Sequence, residues 1–547
     1  MGERRCSEGP GRKGFARAVG VVAAIVVSTL ATLAFSGAGC GRTHPLQRQL
    51  VEPPIAAAVD TRSKYLKVHT RDGHLYVLTD WKLDDPHALI TGNGRLMDVN
   101  RNPGTPALHR VSYAQVALLE TNVQLSGQLV GISVLTGASL AVTAACLLNP
   151  KSCFGSCPTF YVSDGERPLL QAEGFSDSIA PALEATDVDA LYRARPQGRA
   201  LTVRMTNEAL ETHVVRRVNV LAAPRLPGGR VFFSSGQAAG GEALYQADHL
   251  RAADRCSDAR GESCAAPLAA FDEREWMSRT DPGDLARREE IELAFAGDET
   301  AAPQGLVIAA RQTFVTTFLL YQAFAYLGSR ATEALATLER GDHAMVDRLR
   351  ETQRLMGGIE VWTQGDGDDG DRRDGDRRDG WRRAGEVFET GPIATDVHLL
   401  PLPPLPPGTA RIKLRLGQGH WRVDWVALAR LGARVQPLRL TPAALRTISS
   451  GDRPAAVNGQ TVVSLPGDAY EYHYELPPEP ERYELFLESR GYYLEWMRKE
   501  WEKEESQWRA ALMLYQPGLA LRLLAPAFKK VEPDIERLFW ESRYVRH

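Results

Sequence analysis

Tyr65, Lys67 and His69 alternate with Leu66 and Val68, Asp72-Gly73 follows, and Leu75 and Val77 then alternate with His74 and Tyr76. Asp-Gly between two alternating runs is the strongest short-range hairpin signal, because the tight turn that matches strand twist needs positive φ at its central residues. The alternation continues over 83–96 and 111–119, so residues 64–122 read as a small β-meander. Short runs with strand character recur at 159–162, 201–205, 214–221 and 230–233, and again at 359–362, 381–388, 397–402, 412–416, 421–428 and 470–474. Side chains at period two line one face of a strand, so the pattern predicts a mainly β chain with inserted helices. It divides into the meander, a central β module over 150–300, and a β-sandwich-like domain over 346–496.

Two stretches break the strand pattern. Leu306, Ala310, Phe314, Thr317, Leu320 and Phe324 recur at three- to four-residue steps up to Gly328, which predicts a buried helix within a helical segment at 301–345. A second helix is expected over 332–338. Beyond 497 come C-terminal amphipathic helices, with Trp496, Trp501 and Trp508 at near-helical spacing and Ile535, Leu538 and Phe539 on one side. All of these are expected to pack on the body.

The N-terminus speaks to destination. Arg4, Arg5, Arg12, Lys13 and Arg17 precede an uncharged run over 18–35, and Ser36-Gly37-Ala38-Gly39-Cys40 closes it. Basic, apolar and small residues in that order form an export signal. Ala38-Gly39-Cys40 resembles the end of a bacterial lipobox, whose cysteine is diacylated and becomes the mature N-terminus. Gly37 stands where leucine is usual. Cys40 is therefore the lipidation candidate, residues 1–40 the signal and 41–63 a tether to the folded mass, with the envelope membrane as the expected location. An uncleaved anchor helix or an ordinary cleaved signal are the alternatives.

Of the seven cysteines, setting aside Cys6, Cys40 and Cys146 leaves Cys153, Cys157, Cys256 and Cys264. In an oxidising compartment an even remainder favours two disulfides, and local pairing, Cys153–Cys157 and Cys256–Cys264, is the simplest arrangement. Their spacings suit zinc poorly. Residues 129–148, LVGISVLTGASLAVTAACLL, carry no charge over the length of a membrane span, and Gly127 and Gly131 give a G-x-x-x-G spacing. A crossing there would place the later cysteines in the cytoplasm, against the disulfide reading; a helix in a protein groove, or lying in the membrane, avoids that conflict. This apolar helix is expected within 123–149.

Ser156-Cys157-Pro158-x-x-Tyr161-x-x-Asp164-Gly165-Glu166, followed by Asn207-Glu208-x-x-Glu211-Thr212, resembles a pattern shared by uncharacterised exported bacterial proteins and lipoproteins. The resemblance covers residues 64–500 and implies no activity. A tyrosine often follows the Glu-Thr pair in that group; His213 stands here.

Chemistry is sparsely marked. The low-complexity loop within 364–380, GDGDDGDRRDGDRRDG, clusters carboxylates with glycine but misses the calcium-loop register, and its arginine pairs neutralise it; it reads as an expanded hairpin loop. Residues 401–408, PLPPLPPG, read as a stiff connector. There is no H-E-x-x-H, no G-x-S-x-G, no P-loop and no G-x-G-x-x-G after a strand. His69 and His74 face each other across the expected hairpin as a solvated pair. Trp362, Trp381, Trp421 and Trp425 gather in the second β domain, where exposed indoles can stack sugar rings and buried ones pack a core. Trp421 and Trp425 are an even step apart and share a face if their strand is regular, with Asp424 between them as the acid of a possible ligand face. Net charge is −3, without the basic concentration that nucleic acid requires.

Three roles follow: a non-enzymatic, membrane-anchored envelope lipoprotein that binds a partner or supports an assembly; a membrane-associated assembly factor; and an exported hydrolase or carbohydrate binder. The first is preferred, with no cofactor or metal and with a membrane and an envelope protein as partners.

Overall fold

The computed structural model describes residues 46–51, 59–70, 74–97, 104–124, 157–208, 211–235, 242–296, 302–331, 334, 343–364, 377–378, 380–388, 391–406, 408–448, 461–465, 467–495 and 504–535. The expectation of a mainly β chain with inserted helices is met: strands dominate, and four α-helices lie among the described residues. Cys40 and the rest of 1–40, Cys153, residues 129–148 and most of the loop at 364–380 lie outside them. No helix among the described residues is long and apolar enough to cross a membrane.

The meander is a six-stranded sheet. Leu66–Thr70, Leu75–Asp84, Leu89–Met97 and Ala107–Ser112 follow in order, and Val116–Gln124 returns beside the first of them. Leu46–Val51, expected in the tether, adds the outermost strand on Val116–Gln124. An open sheet edge offers a row of unpaired backbone groups, and a passing segment satisfies them whatever its own pattern. Leu66, Val68, Leu78, Ile90, Val111 and Leu119 form this sheet's core. His69 and His74 do not form a surface pair. His69 lies opposite Leu75, is buried and pairs with Glu120 at 3.1 Å, while the carbonyl of His74 accepts from the Thr70 amide.

The remaining strands do not sort into the two domains their order suggests. Ala444–Thr447, Ala469–Glu475, Ala200–Thr206, Thr159–Ser163 and Pro168–Glu173 make one sheet; Leu438–Leu440, Glu211–Pro224, Tyr483–Glu495 and Ala185–Ala190 make another. Phe160, Val203, Met205 and Tyr472 of the first share a core with Val215, Val218, Val220 and Leu487 of the second. A sandwich exists, but residues 346–496 supply only part of it.

Nested inside lies a closed barrel of Arg230–Ser234, Ala243–Ala252, Trp421–Val435, Gln304–Gln312 and Asp396–Pro401. Val231, Leu244, Val307, Val397 and Ala427, one from each strand, share a core. A further sheet built on Arg288–Phe295, Ala410–Gly417 and Ile359–Gln364 covers one wall, joining Ile291, Leu414 and Val361 to Ile308 and Val426. Gln304–Gln312 was expected to be helical. Its Gly305–Gln312 run is buried, with 305–310 apolar and packed on both sides between barrel core and covering sheet, and such a continuous apolar stretch carries no period to distinguish strand from helix.

Helix α1, Val315–Leu327, follows that strand. His343–Met356 is α2, Gln507–Tyr515 is α3 and Pro517–Val531 is α4. Phe318 of α1 meets Phe528 of α4 edge-on at 5.1 Å, which docks the C-terminal pair on the body.

Candidate functional site

Strand Trp421–Val435 is irregular where it matters. Ala309 lies opposite Trp425 and Ala310 opposite Val423, so Asp424 is an extra residue, a β-bulge. The bulge reverses the alternation. Trp421 and Val423 point with Val426 and Leu428 into the core under the covering sheet, while Trp425 joins Ala427 and Ala429 on the barrel side. The shared face expected for Trp421 and Trp425 is therefore absent: Trp421 is 1% exposed, a core residue, and Trp425 is half-buried.

Asp424 is buried, and its Oδ1 accepts the Asp272 amide at 3.3 Å. Burial raises its carboxyl above the ordinary aspartate range, and the amides of Glu273 and Asp272 pull it back. Asp424 thus holds a loop through the backbone of Asp272. That loop, residues 265–277, is fixed along its length. Cys256 and Cys264 form a disulfide at its root, with 5.0 Å between their Cα atoms. Val426 donates to the Leu268 carbonyl at 3.0 Å, and Trp276 and Val423 exchange backbone hydrogen bonds at 2.8 and 2.9 Å. Glu275 receives Arg311 at 2.6 Å and Arg422 at 2.9 Å.

Between loop and barrel wall lies a cavity of about 290 Å³. Trp425, Phe271 and Tyr192 supply aromatic walls, and Ala252, Ala269, Ala270 and Ala427 leave the space that larger side chains would fill. Arg230 provides the charge. Its fork is bound by Glu484 at 2.8 and 3.2 Å, and its guanidinium lies 4.4 Å from the Tyr192 ring centroid. Burial opposes the charge on Arg230, Glu484 more than restores it, and the net shift is upward, so it stays a cation. Arg193 covers Phe271 at 4.7 Å and pairs with Glu273.

The cavity lining contains no serine, threonine, cysteine, histidine or carboxylate. Its one hydroxyl, Tyr192 Oη, donates to the Val231 carbonyl at 2.8 Å, and burial pushes its pKa well up, so it is no base. The arrangement presents three aromatic faces beside a guanidinium that is paired with Glu484. Arg230, Tyr192 and Phe271 were not legible as site residues. They come from three distant segments, and Phe271 lies in a loop without period.

The Ser-Cys-Pro motif residues build internal structure. Asp164 Oδ1 accepts the amides of Glu166 and Arg167 at 2.9 and 2.8 Å, and Gly165 takes φ +102°, completing a turn. Tyr161 and Thr206 both donate to Glu208 Oε1, at 2.6 and 2.9 Å, and Asn207 Nδ2 donates to the Glu211 and Ser464 carbonyls. His213 pairs with Glu211 at 3.1 Å. All of these except Asp164, Gly165, Glu166 and Arg167 are buried. Cys157 is a free thiol packed among Ile179, Ala180 and Tyr493, and Cys153, its expected partner, lies outside the described residues. Burial, with Glu173 and Glu211 nearby, pushes that thiol well up, opposite to what an activated nucleophile needs. Among the described residues no group of three or more His, Cys, Asp or Glu is placed to hold a metal ion.

Known protein families provide no match to this chain. Curated proteins provide none either. Among solved structures, a secreted serine protease, VesC from Vibrio cholerae, aligns over 71% of this chain and 99% of its own at 6% identity, with a TM-score of 0.12. A likeness that slight carries no inference about fold or activity.

Proposed function

We propose that this protein is a membrane-anchored envelope lipoprotein, tethered through Cys40, that works by binding and not by catalysis. The observation that carries the binding role is the cavity at Trp425, with three aromatic walls, one paired guanidinium and no nucleophile or base. A sugar would need several polar partners for its hydroxyls, and Arg230 alone is a poor set. A flat apolar or aromatic group bearing a negative charge fits better, whether free or displayed by an envelope partner. The tether rests on the arginine-led, apolar, small-residue order ending at Cys40. The Cys256–Cys264 disulfide favours an oxidising compartment.

Two measurements test this reading. Intact mass of the mature protein is expected to begin at a diacylated Cys40, and the added mass to vanish in Cys40→Ser; an unmodified N-terminus elsewhere refutes the tether. Calorimetric titration with naphthoate is expected to show binding to the parent and none to Ala270→Leu, which fills the cavity from its exposed rim. Equal heats from both proteins, or none from the parent, refute the binding site.

A further inference from the structure

Helices α3 and α4 concentrate exposed apolar side chains among the described residues. Trp508, Tyr515, Leu519 and Leu523 are 53%, 61%, 48% and 57% exposed, so these two short helices hold four of the ten exposed large apolar side chains found among the described residues. Leu519 and Leu523 stand one turn apart on α4, opposite the face that buries Leu521, Leu524 and Phe528. Trp508 and Leu523 line one groove of about 220 Å³ together with Tyr326, Leu512, Pro526 and Lys530.

The two helices themselves carry charge of one sign. From Gln507 to Val531 there are Arg509, Arg522, Lys529 and Lys530 and no Asp or Glu, in a chain whose net charge is −3. Acids stop at Glu505 and resume at Glu532. Arg522 pairs with Asp284 and Lys529 with Glu532, whereas Lys530 lines the groove and Arg509 stacks on both Trp508 and Tyr326 at 5.3 Å.

We infer that this face of α3 and α4 docks on an anionic lipid surface. Indole and phenol rings settle at the headgroup level, leucines reach below it, and lysine and arginine meet lipid phosphates. A second copy of the chain is disfavoured, since it would set Arg509 and Lys530 against their own copies. The inference concerns a different surface from the Cys40 tether and the Trp425 cavity, and it stands if either of those fails.

The test is hydrogen–deuterium exchange on the full chain carrying Cys40→Ser, with and without vesicles of phosphatidylethanolamine and phosphatidylglycerol. Amides of α3 and α4 are expected to slow with vesicles. Leu523→Asp, at an exposed position that leaves the core intact, is expected to abolish the slowing. Lys530→Glu is expected to weaken partitioning about fivefold or more. Slowing that is absent, or unchanged in Leu523→Asp, overturns the inference. So does slowing that appears without vesicles and grows with protein concentration, which would mark a face for a second copy, or protection conferred by an acidic helical peptide and not by vesicles, which would mark a protein groove.

Discussion

The carboxylate of Asp424 accepts the backbone N–H of Asp272 at 3.3 Å, across 152 residues of chain. The bulge that displaces Asp424 from the ladder lets one side chain fasten the loop that walls the cavity. Asp424→Ala takes the acceptor from a loop backbone that water reaches, a loss of about 0.5–1.5 kcal/mol. Urea denaturation is expected to show that loss and naphthoate titration a weaker binding, while Asp424→Asn, which keeps an acceptor oxygen, is expected to retain most of both.

Trp421 and Trp425 are expected to respond in opposite ways. Trp421→Ala empties a fully buried site and costs about 3–5 kcal/mol in denaturant titration, with the cavity wall left in place. Trp425→Ala costs less stability and removes naphthoate binding. Equal stability losses together with equal affinities would contradict the reversal of faces at Asp424.

His420 supplies a pH signature. It is buried, and burial pushes its pKa down from 6.5 to about 4, with Arg288 adding to the effect and a backbone hydrogen bond with Leu285 opposing it. Between those values the unfolded chain takes up a proton that the folded protein refuses. Stability is therefore intact above pH 6.5 and falls as pH drops towards 4, by on the order of 2–3 kcal/mol. Urea midpoints measured across that window are expected to slope less in His420→Gln than in the parent. Parallel slopes would assign acid sensitivity to other groups.

Strand positions were legible because period-two alternation is a local property: Thr159–Ser163, Ala410–Gly417 and Ala469–Glu475 all lie where short patterned runs stand. Their partners were not. Tyr470 pairs with Met205 and Leu487 with Val220, and no local pattern records which distant strand a strand will meet. Gln304–Gln312 misled because a strand buried on both faces has lost the alternation by which strands are recognised. The face of Trp425 misled for a related reason: a single inserted residue shifts every later side chain, and Asp424 gives no advance sign of being that residue. For Cys157, spacing suggested a bridge to Cys153, which lies outside the described residues, whereas the thiol stands free and buried beside Tyr493.

The two kinds of described cysteine are expected to separate cleanly in solution. Cys256–Cys264 closes a short loop, so replacing both by alanine costs about 2–3 kcal/mol in the chain-entropy account. The bridge stands at the root of the segment carrying Phe271, so the same double variant is expected to bind naphthoate more weakly before it unfolds. Cys157, buried and with its pKa pushed well up, is expected to resist alkylation in the native protein and to react once urea opens the core. Peptide mapping after alkylation under the two conditions distinguishes them: rapid native labelling of Cys157, or labelling of Cys256 without prior reduction, would contradict the packing described at the motif and at the loop.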